Sequence, residues 1–220
     1  MTQLETELKL LKEEVRNMWE LVRTQLVKAK TSLQNFDKDL AREVRSKERR
    51  VNAFELKIDR DCEDIFALYT PVAIDLRFLL AVLKINTNLE RIGDIAEGIA
   101  KHIIVSEKPF SDKLIGAIKI IEMYDESINM VDETLIAFET EDTKLARGVF
   151  KQDEFLDNIN VSANQLLVEY VKENPDEIDM ALYALSIIRK LERVGDQAKN
   201  IAEEIIFYVE AKVLKHSHKV

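Results

Sequence analysis

From Leu4 to Phe36 the apolar residues recur at steps of three and four: Leu4, Leu8, Leu11, Val15, Met18, Val22, Leu26, Ala29, Leu33 and Phe36. That is one stripe of an α-helix, sustained for about nine turns at 3.6 residues per turn. A stripe of this length has to be buried against other long helices, which points to an all-α fold. Only five glycines and three prolines occur in 220 residues, too few for the tight turns of an all-β chain.

The rest of the chain repeats the pattern. Val44, Val51, Phe54, Ile58, Cys62, Ile65 and Leu68 mark a second helix, with Asp37 or Asp39 as its N-cap. Thr70 and Pro71 then read as the N-cap and first residue of a third helix running to about Val105. Ser106 to Ser111, with Pro109, is the clearest linker. Leu114, Ile118, Ile121, Tyr124, Ile128, Val131, Leu135 and Phe138 predict a single fourth helix. A fifth runs from near Asp142 to Asn174, and a sixth opens at Asn174-Pro175 and extends to about Leu214. Lys215 to Val220 is expected to be a frayed tail.

The two halves look duplicated. Leu40-Ala41-Arg42-Glu43-Val44 is matched by Leu145-Ala146-Arg147-Gly148-Val149, and Leu89-Glu90-Arg91-Ile92-Gly93-Asp94 by Leu191-Glu192-Arg193-Val194-Gly195-Asp196. Both matches hold equivalent places in their helix triplets. The expected architecture is two tandem antiparallel three-helix bundles with six long helices, over 1–106 and 112–214, joined by a linker at 107–111 and followed by a tail at 215–220.

Composition excludes several functions. A net charge of −9 leaves no basic stripe for nucleic acid. The start, MTQLETELKLLKEEV, lacks the basic-then-apolar order of a signal peptide. No stretch reaches the roughly 20 apolar residues of a membrane span; the longest, Val72 to Ile85, is interrupted by Asp75, Arg77 and Lys84. A soluble, cytoplasmic protein is expected, and the lone Cys62 reads as an apolar filler.

The chemistry, if any, lies in the repeated motif. Glu90 and Asp94, and Glu192 and Asp196, are carboxylates one helical turn apart, each pair costing about 0.2–0.5 kcal/mol by repulsion. Gly93 and Gly195 inside each motif cost about 1 kcal/mol each against alanine. Close helix packing would explain the glycines, and a bound cation the acids. The preceding helix offers partners: Glu48, Asn52, Glu55 and Asp59 form one oxygen-rich stripe, repeated in part by Asp153, Asp157 and Asn160. Oxygen donors without thiolate or imidazole favour Mg²⁺, Mn²⁺ or Ca²⁺ and can also hold iron. A single acid pair among 41 acidic residues is ordinarily a solvated helix face. It is the duplication, with its glycines and facing stripes, that argues for a site.

Other candidates have plainer readings. His102 stands two turns past Asp94 but reads as a surface or packed residue, His216 and His218 as inert, and Trp19 as core. Arg91 and Arg193 read as bridging helices. No phosphate-binding loop or nucleophile triad is present, so no catalytic residue is assigned.

These residues resemble the PhoU family of phosphate transport regulators. Pro71-Val72-Ala73-Ile74-Asp75-Leu76-Arg77 looks like its P-x-A-x-D-L-R signature, and LERIGDIA from Leu89 and LERVGDQA from Leu191 look like its paired E-x-x-x-D motifs. The resemblance implies two bundles side by side, a homodimer, and multinuclear metal clusters of iron or of other ions such as zinc. The ligands carried over are Glu48, Asn52, Glu90 and Asp94 in the first half, extended by Glu55 and Asp59, and Asp153, Asp157, Glu192 and Asp196 in the second. It also implies negative regulation of phosphate uptake and starvation signalling, through contacts with the ATPase subunit of a phosphate ABC transporter and with a sensor histidine kinase.

Asn52 stands where the second half has Asp157, so the first site is expected to bind metal more weakly. Gly98 stands where the second half has Asn200, and D-L-R has only a faint echo at Asp179-Met180. Two rival readings remain: a metal-dependent phosphoesterase using the same carboxylates, and a metal-free helical scaffold.

Overall fold

In the computed structural model, which describes residues 2–214, the first stripe becomes α1 (Gln3–Asn35). Thr2 and Glu5 cap it reciprocally. α2 spans Lys38–Tyr69 and α3 Ala73–Val105; α4 (Asp112–Ala117), α5 (Ile120–Thr140), α6 (Thr143–Glu173) and α7 (Ile178–Glu210) follow. No strand occurs among the described residues. Asp37 caps α2 by accepting from the backbone N–H of Asp39 and Leu40, and Asp142 caps α6 by accepting from Lys144 and Leu145. The repeated Leu-Ala-Arg therefore opens the same helix in both units with the same cap. The tail expected at Lys215 to Val220, with His216 and His218, lies outside the described residues.

Four boundaries differ from expectation. Thr70 does not cap α3; it closes α2 in the left-handed region at φ 47°. A residue before proline is disfavoured in right-handed helical conformation, so α2 stops at Tyr69, Val72 is extended, and α3 starts at Ala73. The single fourth helix is broken into α4 and α5 at Lys119, which takes φ 54°. Ile118 and Ile120 explain the break: two positions apart they would point about 200° apart on one helix, yet both are buried. Asn174 ends α6 rather than capping the next helix, its side chain accepting no first-turn N–H; Pro175–Glu177 form a 3-10 turn before α7. α7 itself stops at Glu210, short of Leu214, where Ala211 turns left-handed.

Within each unit every long helix packs on the other two, and the units join where α3 lies along α7 and α1 along α5. One cluster of buried apolar side chains runs through both units. Trp19 of α1 is fully buried, donates its indole N–H to the Val131 carbonyl at 3.1 Å and lies 5.5 Å from the Phe138 ring. Burying such a ring contributes about 2–3 kcal/mol. Polar links cross the same junction: an Arg23–Asp132 fork, Lys84 to Glu204 at 2.9 Å, and Asn200 to Asn88 at 3.4 Å. Arg77, from the signature that opens α3, donates to the Tyr208 carbonyl near the C-terminus of α7. No helix among the described residues is long and apolar enough to cross a membrane.

Candidate metal site

In the first unit α2 and α3 are neighbours, and each lays its acidic stripe along their common seam. Gly93 sets how closely they approach. A Cβ built there would stand 3.1 Å from Val51 Cγ1, 3.3 Å from Glu48 Oε2 and 3.4 Å from Gln25 Oε1. The glycine lets a carboxylate from α2 and an amide oxygen from α1 lie directly against the backbone of α3.

Glu48, Glu90 and Asp94 come together here, each offering one oxygen within 4.8 Å of the others. Glu48 is only 8% exposed, and neither of its carboxylate oxygens has a hydrogen-bond partner. Gln25, 1% exposed, likewise leaves Oε1 unpartnered. Burial, then the charges of Asp94, Glu97 and Glu90, push the Glu48 carboxyl up to about 7. Glu90 is raised by burial and by Asp94 and Glu55, and Glu55 by burial and by Asp59 and Asp94. Among the described residues none of Glu48, Glu90 or Asp94 forms an ion pair with a side-chain cation. A buried group with acceptors and no donors is an expensive arrangement in the absence of a cation, and it has the hard-oxygen chemistry that Mg²⁺, Mn²⁺, Ca²⁺ or iron accepts.

The remaining first-unit candidates spread outward. Glu55 and Asp59 are half-buried on the same seam; Asn86 of α3 donates to the Glu55 carbonyl at 3.0 Å and to Asp59 Oδ1 at 2.9 Å. Asp59 is thus tied to an amide, while the Glu55 carboxylate feels the charge of Asp94. Asn52 is exposed.

The second unit repeats the backbone arrangement and changes its chemistry. A Cβ on Gly195 would meet Leu156 Cδ1 at 2.5 Å, Asp153 Oδ1 at 3.1 Å and Met130 Cε at 3.6 Å. Asp153 stands where Glu48 does, and Met130 replaces Gln25. Asp153 is 4% exposed, but its Oδ2 accepts from the Lys199 ammonium, which also reaches Asp196 Oδ1 at 3.4 Å. Burial works against the Lys199 ammonium, but the bond and charge of Asp153 outweigh it and hold lysine above its ordinary value. Glu192 is raised by burial and by Asp196, Asp157 and Asp153, and Asp157 is exposed. The two seams thus differ in charge: a lysine ammonium lies against Asp153 Oδ2 and Asp196 in the second, where Asp153 Oδ1 stays unpartnered, whereas the exposed Asn52 leaves the first seam's buried oxygens in place.

Gln25, Glu97 and Lys199 were not among the sequence candidates. Glu97 and Lys199 each stand three residues beyond the motif aspartate, and Gln25 is a polar residue at a buried position of α1. Register with the motif was the available signal for Glu97 and Lys199, whereas Gln25, beside Leu26 of the unbroken stripe, carried none. His102 is packed away from the seam, with Nε2 2.9 Å from Ser186 Oγ and its ring 5.4 Å from Tyr183. Cys62 is fully buried and its thiol is pushed up to about 12, by burial first and then by Asp59, Asp61 and Glu63, as befits a filler.

Fold and seam together define a duplicated helical protein whose units each place an E-x-x-x-D motif against a buried acid of the preceding helix. The family model of the PhoU domain matches this chain twice, over residues 15–103 and 120–205. The chain belongs to the PhoU family. It is 33% identical over 212 residues to the phosphate-specific transport system accessory protein PhoU homolog 1 of Thermotoga maritima, covering 96% of this chain and 90% of that protein. Against the Escherichia coli K12 accessory protein PhoU the identity is 31%, covering 97% and 88%. The crystal structure of PhoU from Pseudomonas aeruginosa superposes with a TM-score of 0.88 at 34% identity, covering 96% of this chain and all of that one. The phosphate transport system regulatory protein PhoU from Streptococcus pneumoniae superposes at 0.84 with 27% identity, over 96% and 99%.

Proposed function

We propose that this chain is a metal-binding accessory protein of phosphate import, which restrains uptake and phosphate-starvation signalling by binding proteins rather than by turnover. Its relatives carry the accessory role in their names over nearly their whole length. The observation within this molecule that carries the metal half is the acceptor-only pocket of Glu48 and Gln25 beside Glu90 and Asp94. Glu48, Glu90 and Asp94 would hold the ion, with Gln25 and Glu55 nearest to complete its oxygen shell. Iron is the ion that family resemblance favours, and the donor set also suits Mn²⁺, Mg²⁺ or Ca²⁺; zinc is the further candidate. A bound ion would neutralise the seam and fix α2 against α3, so that metal state and surface shape are linked.

The partners we assign are the ATPase subunit of a phosphate ABC transporter and its sensor histidine kinase, met on the cytoplasmic face by a homodimer. The chain would approach the membrane only through them and would not bind nucleic acid, given its acidic charge. In phosphate-replete cells of the source organism, replacing the gene by a Glu90→Gln/Asp94→Asn version is expected to raise phosphate uptake and switch on a starvation reporter. Wild-type repression by that variant, expressed at wild-type level, would refute the role of the seam. Robust phosphoester hydrolysis by metal-loaded protein, lost in Asp94→Ala, would instead establish an enzyme.

A further inference from the structure

The two seams descend from one pattern, and position by position they have been changed in opposite chemical senses. Beneath the motif glycine the first unit places Gln25 and the second Met130, each in contact distance of the Cβ its glycine lacks. Three residues past the motif aspartate the first unit has Glu97 and the second Lys199. The first seam thereby gains an amide oxygen and a carboxylate, the latter already paired with Lys101 at 2.6 Å and Arg45 at 3.8 Å, while the second gains a thioether and an ammonium. Lys199 does more than sit nearby: it bonds the buried Asp153 and also reaches Asp196, two of the acids a metal would need. Its Nζ therefore lies against the second unit's equivalents of Glu48 and Asp94, where a cation would neutralise them.

We propose that Lys199 is the resident cation of the second seam, so that this chain takes divalent metal in the first seam and keeps the second closed with its own ammonium. The first half of that statement rests on the metal reading above; the second half stands on the geometry of Lys199 alone. An ion entering the second seam would have to displace a lysine held by two carboxylates, and would meet Met130 where the other unit offers an amide oxygen. The duplicated motif thus has one metal-dependent copy and one copy that is neutralised permanently, giving a helix pair whose packing does not vary with metal supply.

Two lysine variants test this with Mn²⁺ as the probe, counted by loss of the free-ion electron paramagnetic resonance signal. Lys199→Glu restores the residue type of Glu97, and Lys199→Met removes the charge; circular dichroism confirms that each is folded. Wild type should lose its Mn²⁺ binding in Glu90→Gln/Asp94→Asn and keep it in Glu192→Gln/Asp196→Asn. Lys199→Glu should gain a second set of bound ions, about doubling the Mn²⁺ held per chain, and that gain should vanish when Glu192→Gln/Asp196→Asn is added. Lys199→Glu and Lys199→Met both binding no more than wild type would overturn the proposal, as would loss of half the wild-type binding in Glu192→Gln/Asp196→Asn. Wild type binding nothing while Lys199→Glu gains sites would overturn the first-seam reading and leave the role of Lys199 standing.

Discussion

Replacing the motif glycines by alanine separates packing from helix propensity, and the two copies should answer differently. At Gly195 the new Cβ would come 2.5 Å from Leu156 Cδ1, about 1 Å inside ordinary carbon–carbon contact. Leu156 is fully buried, so it has to push into its neighbours, and overpacking of this kind costs about 1–3 kcal/mol. Alanine returns about 1 kcal/mol of helix propensity, which leaves Gly195→Ala destabilised by about 1 kcal/mol. At Gly93 the nearest atom is Val51 Cγ1 at 3.1 Å, a shortfall of a few tenths of an ångström. There the two effects should cancel to within about 0.5 kcal/mol. Urea unfolding followed by circular dichroism, with chelator present, measures both. A stabilised Gly195→Ala would show that the close approach of α6 and α7 does not require glycine, and would refute the packing argument.

Three further outcomes follow from particular side chains. Glu48→Gln removes a buried charge whose oxygens are unpartnered; in chelator at pH 8 it should stabilise the protein by about 1 kcal/mol while abolishing Mn²⁺ binding, and a loss of chelator-state stability would contradict this. Tyr170 donates to Glu177 Oε2 at 2.5 Å and Ser111 to the same oxygen at 3.0 Å, holding Glu177 below its ordinary value of 4.5. A depressed carboxyl stabilises the fold above the unfolded value and stops doing so as pH falls through the folded one, so Tyr170→Phe should flatten the acid side of a melting-temperature profile below pH 4.5; an unchanged acid limb would count against it. Cys62, buried and pushed up to about 12, should resist a thiol reagent in the native state and react at once in urea, and rapid native labelling would be the contrary result.

Much of the fold was legible because its signals are local. The α1 stripe from Leu11 to Leu33 is buried as its spacing requires, and the repeated Leu-Ala-Arg follows the same aspartate cap in both units. What was not legible depends on neighbours distant in sequence. Periodicity ran one stripe through Ile118 and Ile121, whereas the structure buries Ile118 and Ile120, and only the burial of both beneath other helices forces the break at Lys119. Thr70 carried two compatible signals, a cap for the next helix and a stop before proline; the second prevailed.

The site was legible in its residue types but not in its balance of charge. Spacing placed Glu48 opposite Glu90 and Asp94, and the three do converge. Counting acids alone made Asp157 a point in favour of the second seam. Its ammonium comes from Lys199, one turn beyond the motif, and whether a lysine folds inward or points to water is decided by the depth of Asp153. The contribution of Gln25 required knowing that α1 passes beneath Gly93.

The most direct test of the metal-binding seam is an anomalous-scattering map from crystals of the whole chain soaked in Mn²⁺. A peak bounded by Glu48, Glu90 and Asp94, with none beside Asp153 and Lys199, is the expected result. A map with no peak in the first seam, or with its main peak among Asp153, Glu192 and Asp196, would contradict it.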